Sequence, residues 1–143
     1  MMSSAARFVD KVAIVTGAAT GIGRATLARL ASEGATLLAV DVNVDALAES
    51  ADQARSAAGQ AGRVETVVAS ITDEAAIKSA FAGFAERQGK LDVLINVAGV
   101  LRAVHSVEET LEDFVRILQI IWSAPFCAAA RRCPISSNRR ATS

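Results

Sequence analysis

The stretch KVAIVTGAATGIG, residues 11–23, decides the fold. Its first six residues, Lys11–Thr16, are rich in β-branched side chains and predict a buried strand. A glycine-containing turn follows at once, and Ile22–Glu33 then has the spacing of a helix that ends at Gly34. A strand that leads through a glycine turn into a helix predicts the first βα unit of an α/β protein.

The rest of the chain repeats this alternation of short apolar runs and longer Ala-rich runs. Further strands are predicted at Ala35–Asp41, Arg63–Ala69 and Leu91–Ile95, and further helices at Val44–Ala58, from Thr72 or Asp73 to about Arg87, and from Ser106 to about Trp122. The strands are too apolar to leave one face in water. We therefore expect a parallel sheet with helices packed on both faces.

Apolar spacing also predicts which helical side chains are buried against that sheet. These are Ile22, Leu27 and Leu30 in the first helix and Ile77, Phe81 and Phe84 in the third. Gly89 is expected to end the third helix. Ser106, followed three residues later by Glu109, fits a capping box at the start of the last helix.

The composition restricts both the core and the partners of the chain. Apolar residues make up 52% and aromatic residues 4%, so the core must be built from Ala, Val, Leu and Ile. Fifteen basic side chains balance fifteen acidic ones, which does not predict a nucleic-acid partner. No acid follows Asp113, and arginines are frequent near the end. We therefore predict a domain over residues 1–126 and an irregular basic tail over 127–143.

Cysteine usage and hydropathy predict the compartment. Cys127 and Cys133 match no zinc-ligand spacing, so we expect two reduced thiols and no metal site. The first ten residues lack the apolar segment of a signal peptide, and no apolar stretch is long enough to span a bilayer. A cytoplasmic protein without a membrane partner is the expectation.

The glycines of the first turn are suited to binding a phosphate group. Gly17 permits a sharp exit from the strand, Gly21 lets backbone approach a pyrophosphate, and Gly23 allows helix and strand to pack closely. The helix N-terminus adds free N–H donors. The turn is not a P-loop, because Arg24-Ala25 stands where Lys and Ser or Thr would follow. Taken alone, the glycines are equally consistent with an ordinary turn.

An acidic residue ends the second predicted strand. The carboxylate of Asp41 is placed to accept hydrogen bonds from both hydroxyls of an adenosine ribose, and it would repel a 2′-phosphate. This position favours NAD over NADP as the ligand. The alternative is that Asp41 caps the next helix, a role that Asn43 or Asp45 could equally fill.

A third turn of small residues, Asn96–Gly99, follows the fourth predicted strand. Small side chains at the carboxyl end of a strand let a ligand lie against the backbone. An ordinary strand-to-helix turn is the alternative interpretation.

Together these three segments resemble the short-chain dehydrogenase/reductase family. The resemblance runs from Lys11 to Phe126 and rests on T-G-x-x-x-G-I-G, the acid after the second strand, and N-x-A-G after the fourth. It implies a Rossmann-like fold, a nicotinamide cofactor, and hydride transfer to or from an alcohol or carbonyl carbon. The sheet would be truncated after about four strands.

The resemblance also implies which residues contact the cofactor. They are Gly17, Thr20, Gly21, Ile22, Gly23, Asp41, Ser70, Ile71, Asn96, Ala98 and Gly99. Ser70 stands where the family usually has an Asp that contacts the adenine amino group, and it would accept a weaker hydrogen bond. Val97 replaces the second Asn of the family's N-N-A-G motif, which is a mild change.

The catalytic residues of the resembled family have no counterparts in this sequence. Ile121 occupies the position of the catalytic Asn, there is no tyrosine, and the last lysine is Lys90. The family's general acid/base is the Tyr of a Tyr-x-x-x-Lys pair. His105, the only histidine, is a weaker candidate for a proton donor than for an exposed loop residue. The prediction is therefore no catalytic residue in this chain.

Three functional hypotheses follow. The chain is an oxidoreductase completed by another chain, a non-catalytic dinucleotide-binding module, or a truncated or frame-shifted dehydrogenase that retains only cofactor binding. We favour the third. A sheet ending after four strands, and a last helix with apolar residues at Ile117, Ile120, Ile121 and Trp122, also predict self-association.

Overall fold

Strands and helices alternate along the chain in a computed structural model that describes residues 6–58, 62–100 and 110–123. The elements are β1 Val12–Thr16, α1 Gly21–Ser32, β2 Thr36–Asp41, α2 Val44–Ala58, β3 Arg63–Val68, α3 Glu74–Gln88, β4 Val93–Asn96 and α4 Leu111–Leu118, and Gln119–Ser123 extend α4 as a π-helical turn. The predicted basic tail and the predicted start of the last helix at Ser106 lie outside the described residues.

The four strands form one parallel sheet in the order β3-β2-β1-β4. In the register of the central pair, Val12 lies opposite Thr36, and on the other side of β1, Ile14 lies opposite Leu94. The two crossovers β1-α1-β2 and β2-α2-β3 build outward from β1 in one direction. The strand order then reverses, because β4 returns to the free side of β1. The expected parallel α/β sheet is confirmed.

Alternate residues of the central strands face opposite layers of helices. Ala13 and Val15 of β1 belong to a core cluster with Leu27 of α1 and Leu47 of α2. Ile14, between them in sequence, belongs to the second cluster, which contains Ile77 and Phe84 of α3. Helices therefore cover both faces of the sheet, as predicted. Aliphatic side chains dominate both clusters, in keeping with the low aromatic content.

Two burial predictions were wrong. Ile22 is 75% exposed, because it lies in the first turn of α1, beyond the edge of the sheet, whereas Leu27 and Leu30 are buried. β3 also leaves side chains in water, including Thr66 and Val68. Among the described strands, β3 pairs only with β2, so its outer side is less covered than the centre of the sheet.

Polar caps and glycines define the helix ends. Of the two predicted caps for α3, it is Asp73 whose side chain accepts a hydrogen bond from the amide of Ala76. Gly34 and Gly89 follow α1 and α3 with φ of +94° and +73°, as predicted for glycines at helix C-termini. For α4, which starts at Leu111, the capping residue is Thr110.

A buried carboxylate ties the N-terminal segment to the end of α1. The side chain of Glu33 is 0% exposed, and both of its oxygens accept hydrogen bonds from the Arg7 guanidinium at 2.6 Å. The guanidinium of Arg29 donates a further one. Hydrogen bonding to Arg7 is the main cause that lowers the pKa of Glu33 from 4.5 to about 2, against the opposing effect of desolvation.

Substitution Glu33→Gln is expected to lower the free energy of unfolding at neutral pH. Because the folded-state pKa is below the unfolded-state value of 4.5, the charge of Glu33 stabilises the fold above pH 4.5. That contribution disappears as pH falls toward about 2. Urea unfolding of both proteins across this range measures it, with the exposed Glu86→Gln as control. A difference between wild type and Glu33→Gln that stays constant down to about pH 2 would contradict this account.

The packing of α1 against the end of β1 depends on a glycine. A Cβ added at Gly23 would lie 1.8 Å from the carbonyl oxygen of Gly17, which is backbone and therefore unable to yield. The first turn of α1 thus contacts the chain leaving β1 more closely than any other residue type allows.

Substitution Gly23→Ala is expected to destabilise the protein by about 3 kcal/mol or more, because helix and strand must separate. The matched control is Gly83→Ala in α3, where the added Cβ meets only the tip of the Arg87 side chain at 3.4 Å. That control should raise stability by about 0.5–1 kcal/mol through helix propensity. Thermal and urea unfolding compare the two. Equal stability of the two variants would disprove the role of Gly23.

Candidate functional site

The segments singled out in the sequence meet at one edge of the sheet. The turn after β1, Asp41 at the end of β2, Ser70 after β3 and the turn after β4 all lie at carboxyl ends of parallel strands. In open α/β sheets, ligands bind at this edge where the strand order reverses. Here the reversal lies between β1 and β4, beside Gly17.

The turns after β1 and β4 are in direct contact. A Cβ at Gly17, whose φ is +66°, would lie 2.6 Å from the amide nitrogen of Ala98. The first glycine and the small-residue turn therefore form one continuous backbone surface. Asn96, opposite Thr16 in the register, and Gly99 flank this contact and are both exposed.

Thr16 joins these two turns, a role that sequence reasoning missed. Its side chain is buried, and its hydroxyl oxygen accepts hydrogen bonds from the amides of Val97 and Ala98 at 3.3 and 3.4 Å. The available signal was a polar residue closing an otherwise apolar strand. What the hydroxyl binds depends on the pairing of β1 with β4, which the local sequence does not show.

The peptide groups of Ala18 and Ala19 are fully used inside the protein. The N–H of Ala18 donates to the Val40 carbonyl oxygen at 3.2 Å, and its carbonyl oxygen accepts from Ser50 Oγ at 2.7 Å. The N–H of Ala19 donates to Asp41 Oδ2 at 3.0 Å, and its carbonyl oxygen accepts from Arg24 Nε at 2.9 Å. The loop is therefore held in a defined conformation. Neither of these two amides is left for an anion, so the candidate donors in this loop are those of the residues that follow, Thr20–Gly23.

The N-terminus of α1 differs from those of the other helices. The cap residue Thr20 is extended and makes no side-chain capping bond, and the first turn of α1 contains no acid. Side chains of Asn43, Asp73 and Thr110 accept amide hydrogen bonds at the starts of α2, α3 and α4, and each of those first turns contains an acid. The first-turn N–H groups of α1 thus remain for an anionic ligand.

Asp41 presents a fixed carboxylate at the end of β2. Its Oδ1 accepts from the amides of Val42 and Asn43 at 2.7 and 3.1 Å, and its Oδ2 accepts from the amide of Ala19 at 3.0 Å. Asn43, and not Asp41, caps α2 through the amide of Ala46. The helix-capping role considered for Asp41 is therefore filled by Asn43. Asp41 itself is half-buried beside the glycine loop.

Ser70 and Ile71 lie at the same edge but have partners of their own. The Ser70 hydroxyl is 2.7 Å from the Thr72 hydroxyl and also accepts from the Thr72 amide, within the turn that leads to Asp73. Ile71 packs against the core cluster beneath α3. Both residues therefore shape the turn before α3, whether or not a ligand lies above it.

The position of the resembled family's catalytic Asn carries no reactive group in this chain. Ile121 lies in the π-helical turn, is 51% exposed, and has no polar side-chain atom. His105, Cys127 and Cys133 lie outside the described residues. Within residues 6–58, 62–100 and 110–123, no helix has the length and apolar character needed to cross a membrane, and no cluster of three or more His, Cys, Asp or Glu side chains could hold a metal ion.

The sequence is similar to a family model and to curated proteins. The family model described as short chain dehydrogenase matches residues 11–140, so the match continues beyond Phe126, where we expected it to end. 3-Oxoacyl-[acyl-carrier-protein] reductase FabG of Thermotoga maritima is 36% identical over 117 residues, covering 80% of this chain and 45% of the relative. 3beta-Hydroxysteroid dehydrogenase of Mediterraneibacter gnavus is 40% identical over 107 residues, covering 75% and 38%.

Solved structures share the fold at similar sequence identity. Levodione reductase superposes with a TM-score of 0.80 at 32% identity, over 87% of this chain and 48% of that one. NAD+-bound xylitol dehydrogenase superposes with a TM-score of 0.79 at 32% identity, over 87% and 47%. The fold is therefore the Rossmann-like α/β fold that the resemblance implied.

These matches cover a larger share of this chain than of its relatives. The chain spans less than half the length of the curated relatives named above, although those alignments cover at least three quarters of the chain itself. The family model, by contrast, accounts for all but the first ten and the last three residues of the sequence. On this match, the chain belongs to the short-chain dehydrogenase/reductase family.

Proposed function

We propose that this chain binds NAD at the carboxyl edge of its sheet, as the cofactor-binding part of an oxidoreductase. The observation that carries this proposal is the uncapped N-terminus of α1, which lies beside the fixed carboxylate of Asp41. An anion and a pair of hydroxyls are the groups that these two features recognise. NAD carries both, as a pyrophosphate next to an adenosine ribose.

The glycine loop would hold the pyrophosphate. Thr20, Gly21, Ile22 and Gly23 contribute the N–H groups at the start of α1, and the helix dipole adds a positive partial charge there. Gly21 has a φ of +52° and open space where a Cβ would stand, so backbone is accessible at that point. The exposed side chain of Ile22 would cover apolar surface of the bound cofactor.

Asp41 would bind the adenosine ribose and set the preference for NAD. Three backbone amides fix its carboxylate, which still has acceptor capacity for hydroxyl donors. A 2′-phosphate at the same place would be repelled by this carboxylate, because both groups are negatively charged. The proposal is therefore NAD, with NADP disfavoured.

The surface formed by Gly17 and Ala98 would support the other end of the cofactor. Asn96, Ala98 and Gly99 lie at the end of β4, next to β1, which is the location that the resemblance assigns to the cofactor's neighbours. Bound NAD supplies a hydride acceptor for oxidation of an alcohol carbon. The residues on this edge bind and orient the cofactor, and none of them is placed here as a proton carrier.

We propose that these 143 residues bind NAD without turning over a substrate. They contain no tyrosine, and Ile121, at the position of the resembled family's catalytic Asn, has no polar side-chain atom. The family match supports an oxidoreductase as the function to which cofactor binding belongs. A stand-alone dinucleotide-binding module is the alternative, and no feature of the site favours it.

Calorimetric titration of the full chain with NAD tests the proposal. We expect saturable binding with one site per chain, and no NADH formation from a panel of primary and secondary alcohols. Absence of binding at millimolar NAD, with circular dichroism showing a folded chain, would overturn the proposed function. Formation of NADH would disprove the absence of turnover.

Substitution Asp41→Asn should reduce the preference for NAD over NADP by about tenfold, because a neutral amide no longer repels the 2′-phosphate. The matched control is Asp45→Asn, an exposed acid in the first turn of α2 that should leave the preference unchanged. Affinities for both dinucleotides, measured side by side, give the ratio. Equal affinity of wild type for NAD and NADP would exclude this role of Asp41.

Self-association through α4 remains a further proposal. No residue of α4 is buried, and its exposed apolar side chains are Leu111, Phe114, Val115 and Leu118. Among the described strands, β4 also pairs on one side only. Apolar surface of this kind favours contact with a second copy.

Sedimentation velocity over a range of concentrations measures this association. Wild type should form dimers or larger species, and Phe114→Glu should shift the population toward monomer. Glu112→Gln on the same helix is the control and should behave as wild type. A wild-type chain that stays monomeric at every concentration would contradict the proposal.

A further inference from the structure

Ser50 is a fully buried polar residue on a helix whose other buried positions are apolar. It lies in α2 with 0% exposure, and the remaining buried residues of that helix are Leu47, Ala51, Ala54 and Ala58. Alanine would fit this helix face as well as serine in size and would have higher helix propensity. The reason for a hydroxyl must therefore lie in the bond that it makes.

That bond reaches the glycine loop, 32 residues away in sequence. Ser50 Oγ donates to the carbonyl oxygen of Ala18 at 2.7 Å in a buried environment. The same peptide group ends in the N–H of Ala19, which donates to Asp41 Oδ2 at 3.0 Å. One peptide plane is thus held at its oxygen by Ser50 and at its N–H by Asp41.

We infer that Ser50 is a positioning residue for the dinucleotide site. It acts through the Ala18–Ala19 peptide on two parts of the site. Fixing the carbonyl sets the direction in which the loop enters Thr20 and the first turn of α1. Fixing the plane also keeps the Ala19 N–H aimed at Asp41, which in turn orients the carboxylate toward the ribose. This inference rests on the proposed binding of NAD.

Loss of the hydroxyl would leave the Ala18 carbonyl buried without its donor. A buried acceptor without a partner is costly, so the peptide would rotate or admit water. Rotation would also turn the Ala19 N–H away from Asp41. The pyrophosphate loop and the carboxylate of Asp41 would then loosen together, although no residue that contacts the ligand has been changed.

The test is the affinity of Ser50→Ala for both NAD and NADP. We expect NAD binding to weaken about tenfold. NADP binding should weaken less, because the freed carboxylate repels the 2′-phosphate less well. The NAD-to-NADP affinity ratio should therefore fall. The matched control is Ser56→Ala on the exposed side of the same helix, where the hydroxyl donates to the Asp52 carbonyl oxygen of its own helix.

A merely structural role of Ser50 predicts a different result. General loosening would weaken NAD and NADP by the same factor and leave the ratio unchanged, which would overturn the inference. Unchanged NAD affinity in Ser50→Ala, with binding intact in wild type, would also overturn it. Ser50→Cys, which keeps the size and a weak donor, should restore part of the ratio.

Amide hydrogen exchange in the wild-type chain tests the tether without any variant. The Ala19 N–H should exchange as slowly as amides of β1 in the absence of ligand, because both ends of its peptide group are bonded. Exchange at the rate of an open loop would disprove the tether, even if Ser50→Ala fails to fold. If wild type binds no NAD, the proposed function fails, and the exchange measurement still decides on the tether.

Discussion

The close approach of three backbone segments at the end of β1 is the constraint on which the rest of the site depends. Gly23 lies against the carbonyl of Gly17, and Gly17 lies against the backbone of Ala98. A side chain at either glycine would separate α1 from the sheet or the first turn from the fourth strand. With both in place, the start of α1 is held beside the reversal point of the strand order, where an α/β sheet accepts its ligand.

The polar groups around this contact are divided into two sets. The peptides of Ala18 and Ala19 are saturated by the protein itself, with partners on β2, α1 and α2. The first turn of α1 has no such partner from its cap, in contrast to the other helices in the described part of the chain. Ala18 and Ala19 therefore hold the loop rigidly, and the residues directly after them, at the start of α1, keep N–H donors available.

Much of this arrangement is predictable from local sequence, and the exceptions have a common cause. The bounds of α2 agree with its alanine-rich pattern, and Asp73 and Gly89 mark the ends of α3, because these signals are local. The burial of Ile22 was misjudged because helical spacing does not show where a helix extends past its sheet. The roles of Thr16 and Ser50 depend on partners far away in sequence, so they cannot be predicted from the sequence without the fold.

We propose that an anion-bearing dinucleotide is held by the open start of α1. The most direct measurement is a titration of the isotope-labelled full chain with NAD, followed through the backbone amide resonances. We expect saturable shifts that are largest at Gly21, Ile22 and Gly23, with smaller shifts at Ala18 and Ala19, whose amides are already bonded. Saturable binding that leaves the resonances of Gly21–Gly23 unmoved would contradict it.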